Sequence, residues 1–287
     1  MQGRLSPIRN SRIQSFPWDS WEKEFEQAQK IGFSVMEWTI DSENFSENPL
    51  ITKNGLNKIK KLTQQFDIGI PSVTCDYFME NPSWKSDENA IRENLTKILD
   101  GMTIVGARTL VIPLVDNSAI KSQNDLESAK SFFQILADHL TSNNLQIAFE
   151  SDFAPRAMSE FLLDLSPKVF GINYDTGNSA SLGFDPAEEL LIYGTRILNV
   201  HVKDRILGGS TVPLGEGSAD FETVFGTLAS IKYSGNFILQ TARSAIGDHV
   251  GVIEKYRDMT LKWMDRYGFL RILHRFPLLQ LLELKTE

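Results

Sequence analysis

The chain has one cysteine, Cys75, in 287 residues, so no internal disulfide can form. That scarcity fits a reducing compartment, and a cytoplasmic location is expected. Cys75 sits inside the apolar run 68–75, where a thiol behaves as a small hydrophobe. Nucleophilic cysteine chemistry therefore has little support. No apolar run reaches the roughly 18 residues of a membrane span, and the start, MQGRLSPIRN, lacks the hydrophobic stretch of a secretory signal. Basic charge is short as well. Twenty-nine Lys and Arg against 37 Asp and Glu leave a formal net charge of −8, the wrong sign for a nucleic-acid partner. No G-x-G-x-x-G follows the first strand candidate, which removes the signature of a dinucleotide-binding open sheet.

What is present is a regular alternation. Short β-rich runs at 1–6, 33–40, 68–75, 109–116, 146–151, 170–176, 197–204 and 236–242 are separated by helix-patterned segments. Several of the runs are continuously apolar, as in a parallel sheet covered on both faces. The helix candidates are 18–31, 55–66, 87–105, 125–140, 158–165, 186–193, 221–231 and 250–267. The first places Trp21, Phe25, Ala28 and Ile31 on one face; Asp185 followed by Pro186 reads as an N-cap with proline at the first helical position. Eight strand–helix units in series predict a single (β/α)₈ TIM barrel over residues 1–267. Residues 268–287 form an apolar tail, expected to be helical, interrupted near Pro277, and packed on the barrel or a partner subunit. The glycine-rich stretch 208–217 lacks phosphate-loop spacing and reads as a flexible βα loop.

Four residues end successive strand candidates in the second half: Glu150, Asp175, His201 and Gln240, at intervals of 25, 26 and 39 residues. In a (β/α)₈ barrel such positions converge at the C-terminal face. Singly, each has an ordinary reading: a helix cap for Glu150, an Asx turn for Asp175, a core imidazole for His201. Together they make an O/N-rich site for a hard or borderline divalent ion. The fourth, Gln240, is a poor ligand.

The segments MQGRLSP, IAFESD, NYDTGN, NVHVKD, PLGEGSADF and FILQTAR resemble, in order and spacing, the sugar isomerase and epimerase family with the xylose-isomerase-like barrel. The resemblance runs from residue 1 to about 265. It implies one divalent ion (Mn²⁺, Mg²⁺, Co²⁺ or Zn²⁺) held by Glu150, Asp175, His201 and the residue at 240, with a small carbohydrate as substrate. It also implies a homo-oligomer. In the family's epimerases two glutamates move a proton on and off the carbon beside the carbonyl, and the metal stabilises the enediolate. This chain departs from that pattern twice. Gln240 stands where the family has glutamate, and Asn178 where many relatives have histidine. Glutamine offers an amide oxygen but accepts no proton. The implied activity is a metal-dependent isomerase or epimerase of a sugar or sugar phosphate with Glu150 as base. The alternatives are a lyase dehydrating a keto-polyol and a sugar-binding barrel without a second base.

Further residues are expected around the same pocket: Gln2 and Arg4, Glu37 and Trp38, Asp76, Lys203 and Arg205, and Arg243. Glu37, in an otherwise apolar run, reads as a hydroxyl acceptor, a second base, or a partner of Arg4. Lys203 shares a strand face with His201 and suits an enediolate oxygen, an acid group, or a pair with Glu150. Arg4, Lys203, Arg205 and Arg243 could together take a phosphate or carboxylate, or serve as rim ion pairs. His249 is a weaker pocket candidate; His139 and His274 lie in helix-like stretches.

Overall fold

Seven strands pair in parallel and in chain order: β1 (Trp38–Ile40), β2 (Ser72–Cys75), β3 (Thr109–Leu114), β4 (Gln146–Ser151), β5 (Phe170–Asp175), β6 (Ile197–Val202) and β7 (Phe237–Leu239). This is a computed structural model, and it describes residues 1–9, 14–82 and 88–270. The helices are α1 (Trp21–Lys30), α2 (Lys53–Phe66), α3 (Tyr77–Glu80), α4 (Glu88–Val105), α5 (Gln123–Gln134), α6 (Ala137–Ser142), α7 (Pro155–Leu163), α8 (Thr176–Leu182), α9 (Pro186–Tyr193), α10 (Phe221–Ser230) and α11 (His249–Arg266). At least one helix follows every strand. The architecture is the TIM barrel that the alternation predicts. No described helix is long and apolar enough to cross a membrane.

The expected first strand, 1–6, is reduced to a clasp. Glu37 N–H donates to Met1 O at 2.8 Å on the β1 side, and Gln2 N–H donates to Leu239 O at 3.2 Å on the β7 side. Those two bonds close the ring. No ladder follows, because Gly3 turns the chain with φ +49°. The expected strand 33–40 is likewise short, keeping only a single bridge at Val35 ahead of β1. The long helix read at 125–140 divides into α5 and α6.

Strand alternation sorts the barrel into two environments. Outward residues form an apolar layer under the helices. Phe149 on β4 is edge-on to Phe133 of α5, with ring centroids 4.7 Å apart, and to Phe161 of α7 at 5.2 Å. A fully buried ring of this kind contributes about 1.5–3 kcal/mol. On β2, β5 and β6 the inward residues are polar instead: Ser72 and Thr74, Asn173 and Asp175, Asn199 and His201, all buried. Val111, Ala148 and Ile238 face inward on β3, β4 and β7. The uninterrupted apolar reading of the strands thus holds for the outer face, and on the inner face it fails at β2, β5 and β6. Helix starts follow the sequence signals. Asp185 Oδ1 accepts from the Ala187 and Glu188 amides ahead of Pro186, and Asp220, Asp248, Ser122 and Thr52 cap their helices similarly. At the end of the barrel, Phe269 packs on Phe237 at 5.1 Å. The rest of the expected tail, 271–287 with His274 and Pro277, lies outside the described residues.

Candidate functional site

Glu150 lies at the end of β4, Asp175 closes β5, and the β5–β6 register sets Asp175 directly beside His201. One oxygen or nitrogen from each of these residues lies within 4.8 Å of the other two. His201 Nδ1 is 3.2 Å from Glu150 Oε2 and 3.9 Å from Asp175 Oδ2. The imidazole is wholly buried, so its ring is fixed by its neighbours.

The fixing comes from Glu37, which meets His201 Nε2 at 2.8 Å through Oε1. Glu37 also accepts from Ser72 Oγ (2.7 Å), Thr74 Oγ1 (2.5 Å) and Asn199 Nδ2 (3.0 Å). Asn199 donates in turn to Asn173 Oδ1 at 2.9 Å, and Asn173 Nδ2 donates to Glu150 Oε2 at 2.7 Å. A polar ladder therefore runs across the barrel from Glu37 to Glu150. Glu37 is neither a partner of Arg4 nor open to a substrate hydroxyl; it orients the histidine.

Charge follows from this packing. Burial works against an imidazolium, but the Glu37 and Glu150 carboxylates outweigh it and push His201 up to about 10. Burial alone would raise Glu150, yet its contacts with His201, Lys203 and Asn173 hold it below its ordinary value. Asp175 goes the other way. Burial and the Glu150 charge keep it raised despite Lys203. Asp76, at the end of β2, is pushed up to about 7 by burial first and then by the Glu150 charge.

Gln240 faces the same space, with its carbonyl oxygen occupied by another group. Its Oε1 accepts from Lys203 Nζ at 2.8 Å, and that ammonium also reaches Asp175 Oδ2 at 3.3 Å. Asp175 Oδ1 caps α8 through the Gly177 and Asn178 amides, so one carboxylate is both helix cap and site residue. Gly177 is required there: a Cβ would come within 2.8 Å of Lys203 Cγ. Asn178 Nδ2 donates to Glu150 Oε1 at 2.7 Å, and its Oδ1 accepts from Arg205 Nη1 at 2.9 Å. Above these groups opens a cavity of about 450 Å³, lined in part by Gln14, Asp76, Glu150, Asn178, Lys203 and Gln240.

Other expected residues lie elsewhere. Trp38 alternates with Glu37 and points outward, tilted against Phe16, edge-on to Trp21 and donating its indole N–H to Asn48. Arg243 binds the Gly3 and Ser6 carbonyls and so holds the N-terminal turn. Arg4 and Gln2 are buried and do not line the cavity; burial brings Arg4 down to about 9. His249 opens α11, away from the lining. The loop 208–217 is tied down, contrary to its flexible reading, by Asp204, which accepts from the Gly215, Gly217 and Ala219 amides. Sequence reasoning missed Asn173, Asn199, Ser72 and Thr74. Their signal was the two-residue spacing: Asn173 and Asn199 stand two residues ahead of Asp175 and His201, and Ser72 and Thr74 stand four and two ahead of Asp76.

The donor set fits one divalent ion. Two carboxylates and an imidazole converge, and Glu37 takes the far ring nitrogen so that Nδ1 is directed at the carboxylates. Residues 25–266 match the xylose isomerase-like TIM barrel family. The chain belongs to that family. L-ribulose-5-phosphate 3-epimerase UlaE of Escherichia coli (strain SMS-3-5 / SECEC) is 24% identical over 268 residues, 87% of this chain and 92% of that protein. A D-allulose 3-epimerase from Methylomonas sp. superposes with a TM-score of 0.71 at 16% identity, covering 91% of this chain and 96% of that one. The IolI protein, solved with a bound zinc atom, also gives 0.71 at 16% identity, covering 93% and 97%.

Proposed function

We propose that this member of the family is a divalent-metal-dependent epimerase or isomerase of a ketose sugar. Glu150 takes the proton beside the carbonyl, and Lys203 is the second proton-transfer group. The convergence of Glu150, Asp175 and His201 beneath a sugar-sized cavity carries the reading. The curated relatives named as 3-epimerases support it. An ion held by those three side chains would polarise the substrate carbonyl and stabilise the enediolate charge.

The chain's own groups divide the remaining work. Glu150 is held ionised by its neighbours, as a base must be. Two amides, from Asn173 and Asn178, fix both of its oxygens. Gln240 cannot carry a proton, but its amide oxygen positions the Lys203 ammonium next to Asp175. A cation there can donate a proton or stabilise an oxyanion, which answers the loss of the second glutamate.

Metal-loaded protein is expected to exchange the proton beside the carbonyl of a ketose with deuterated water, and Glu150→Gln to slow that exchange at least 100-fold. Exchange that survives Glu150→Gln, or none across a broad ketose panel, would sink the reading. Net loss of water from the substrate would instead mark a dehydratase.

A further inference from the structure

The site described above has a charge balance that bears on whether its substrate carries phosphate. Four acidic side chains line the cavity: Asp116, Glu150, Asp152 and Asp76, the last raised to about 7 by burial and the Glu150 charge. Among the described residues only Lys203 and Arg205 line it with positive charge. Both are engaged. Lys203 Nζ is bonded to Asp175 and Gln240. Arg205 gives Nε and Nη2 to Gly209 O, at 3.1 and 2.7 Å, and Nη1 to Asn178 Oδ1. Turning Arg205 toward a ligand would break its two bonds to Gly209 O and its bond to the amide that holds Glu150. Arg4 and Arg243 do not line the cavity.

Hydrogen-bond chemistry points the same way. A carboxylate accepts and cannot donate, so it suits a sugar hydroxyl and repels a phosphate dianion, whose oxygens are acceptors too. Asp116 and Asp152 are exposed at the mouth, Asp116 with a left-handed φ of +53°. They line the cavity, and among the described residues its only cations, Lys203 and Arg205, are bonded elsewhere.

We infer that the pocket takes an unphosphorylated ketose, recognised through its hydroxyls by Asp76, Asp116 and Asp152. This rests on the sugar-epimerase reading and parts from the phosphorylated substrate in the names of the curated relatives.

The test uses metal-loaded full-length protein and pairs of ligands: L-ribulose, D-ribulose, D-tagatose and D-fructose, each against its terminal phosphate ester. Calorimetry reads affinity, and deuterium incorporation reads turnover separately. At least one free sugar is expected to bind ten-fold or more tighter than its phosphate. The double variant Asp116→Asn, Asp152→Asn is expected to narrow that gap at least three-fold, since asparagine tolerates the left-handed backbone at 116. Phosphate esters binding equally or more tightly, no binding of any free sugar, or a gap unmoved by the double variant would each overturn the inference. Free sugars that bind preferentially without exchange would uphold it and defeat the epimerase reading instead.

Discussion

Glu37 and His201 are 164 positions apart in sequence and 2.8 Å apart in the folded barrel. The contact takes up His201 Nε2 and turns Nδ1 toward Glu150 and Asp175, with the Asn173 amide nitrogen 3.0 Å away. Replacing Glu37 by glutamine preserves shape and a hydrogen bond but removes the charge behind the imidazole. Partners of this kind set 10- to 100-fold of metal affinity. Glu37→Gln is expected to weaken binding of a divalent ion by that factor while circular dichroism shows an intact fold. Affinity unchanged within two-fold would mean that Glu37 only fills space.

Metal binding should release a proton. With His201 pushed up to about 10, the ion must displace an imidazolium proton at neutral pH. Titration calorimetry in buffers of different ionisation enthalpy should show about one proton released per ion between pH 6 and 8. Affinity should then fall about ten-fold for each pH unit lowered. In the metal-free protein the linkage has the opposite consequence. A folded value near 10 against about 6.5 unfolded adds stability that is fully present below pH 6.5 and lost as pH rises through 10. No proton release would show that His201 is neutral without metal.

Asp76 reports the field inside the cavity. Its carboxyl is raised to about 7 by burial and by Glu150, and Gln14 Nε2 donates to it at 2.8 Å. A carboxyl raised above its unfolded value favours folding most at low pH, and that contribution is lost as pH climbs from about 4 through 7. Asp76→Asn keeps the Gln14 bond and cannot ionise. The variant should gain about 1–2 kcal/mol over the parent between pH 4 and pH 8, less than the full shift because Asp76 is half-buried. Denaturant melts at the two pH values measure it. A difference that does not change with pH would mean that Asp76 is an ordinary ionised carboxylate.

Much of this architecture was legible in the sequence because each strand end announces itself. Glu150, Asp175 and His201 interrupt apolar runs, and a costly polar group in such a run must have a partner. Asp185–Pro186 marked a helix start for a local reason, and locality is what a sequence displays best. Glu37 was visible, but its partner was not, since nothing in residues 33–40 names a histidine on β6. Trp38 was misplaced for a related reason. Next to Glu37 it looked like a pocket residue, yet adjacent strand residues face opposite sides. The reading of Arg243 failed because the first strand was taken as regular, and Gly3 breaks it into a turn that needs a cation on its carbonyls.

Gln240 is the position where the chain's chemistry is most open to experiment. If glutamine there were an eroded ligand, restoring glutamate would raise turnover. The geometry favours the reverse. Gln240 Oε1 is 2.8 Å from Lys203 Nζ, so a carboxylate would form a tight ion pair with the group assigned to proton transfer. It would also give the ion a fourth donor, the third that carries charge. Gln240→Glu is therefore expected to strengthen metal binding while lowering kcat at least ten-fold. Lys203→Met should lower kcat by a similar or larger factor without that gain in affinity. Measuring kcat and metal affinity together separates the cases, because a purely structural defect would weaken both. A rise in kcat for Gln240→Glu would return the second proton transfer to position 240 and leave Lys203 as a pairing residue only.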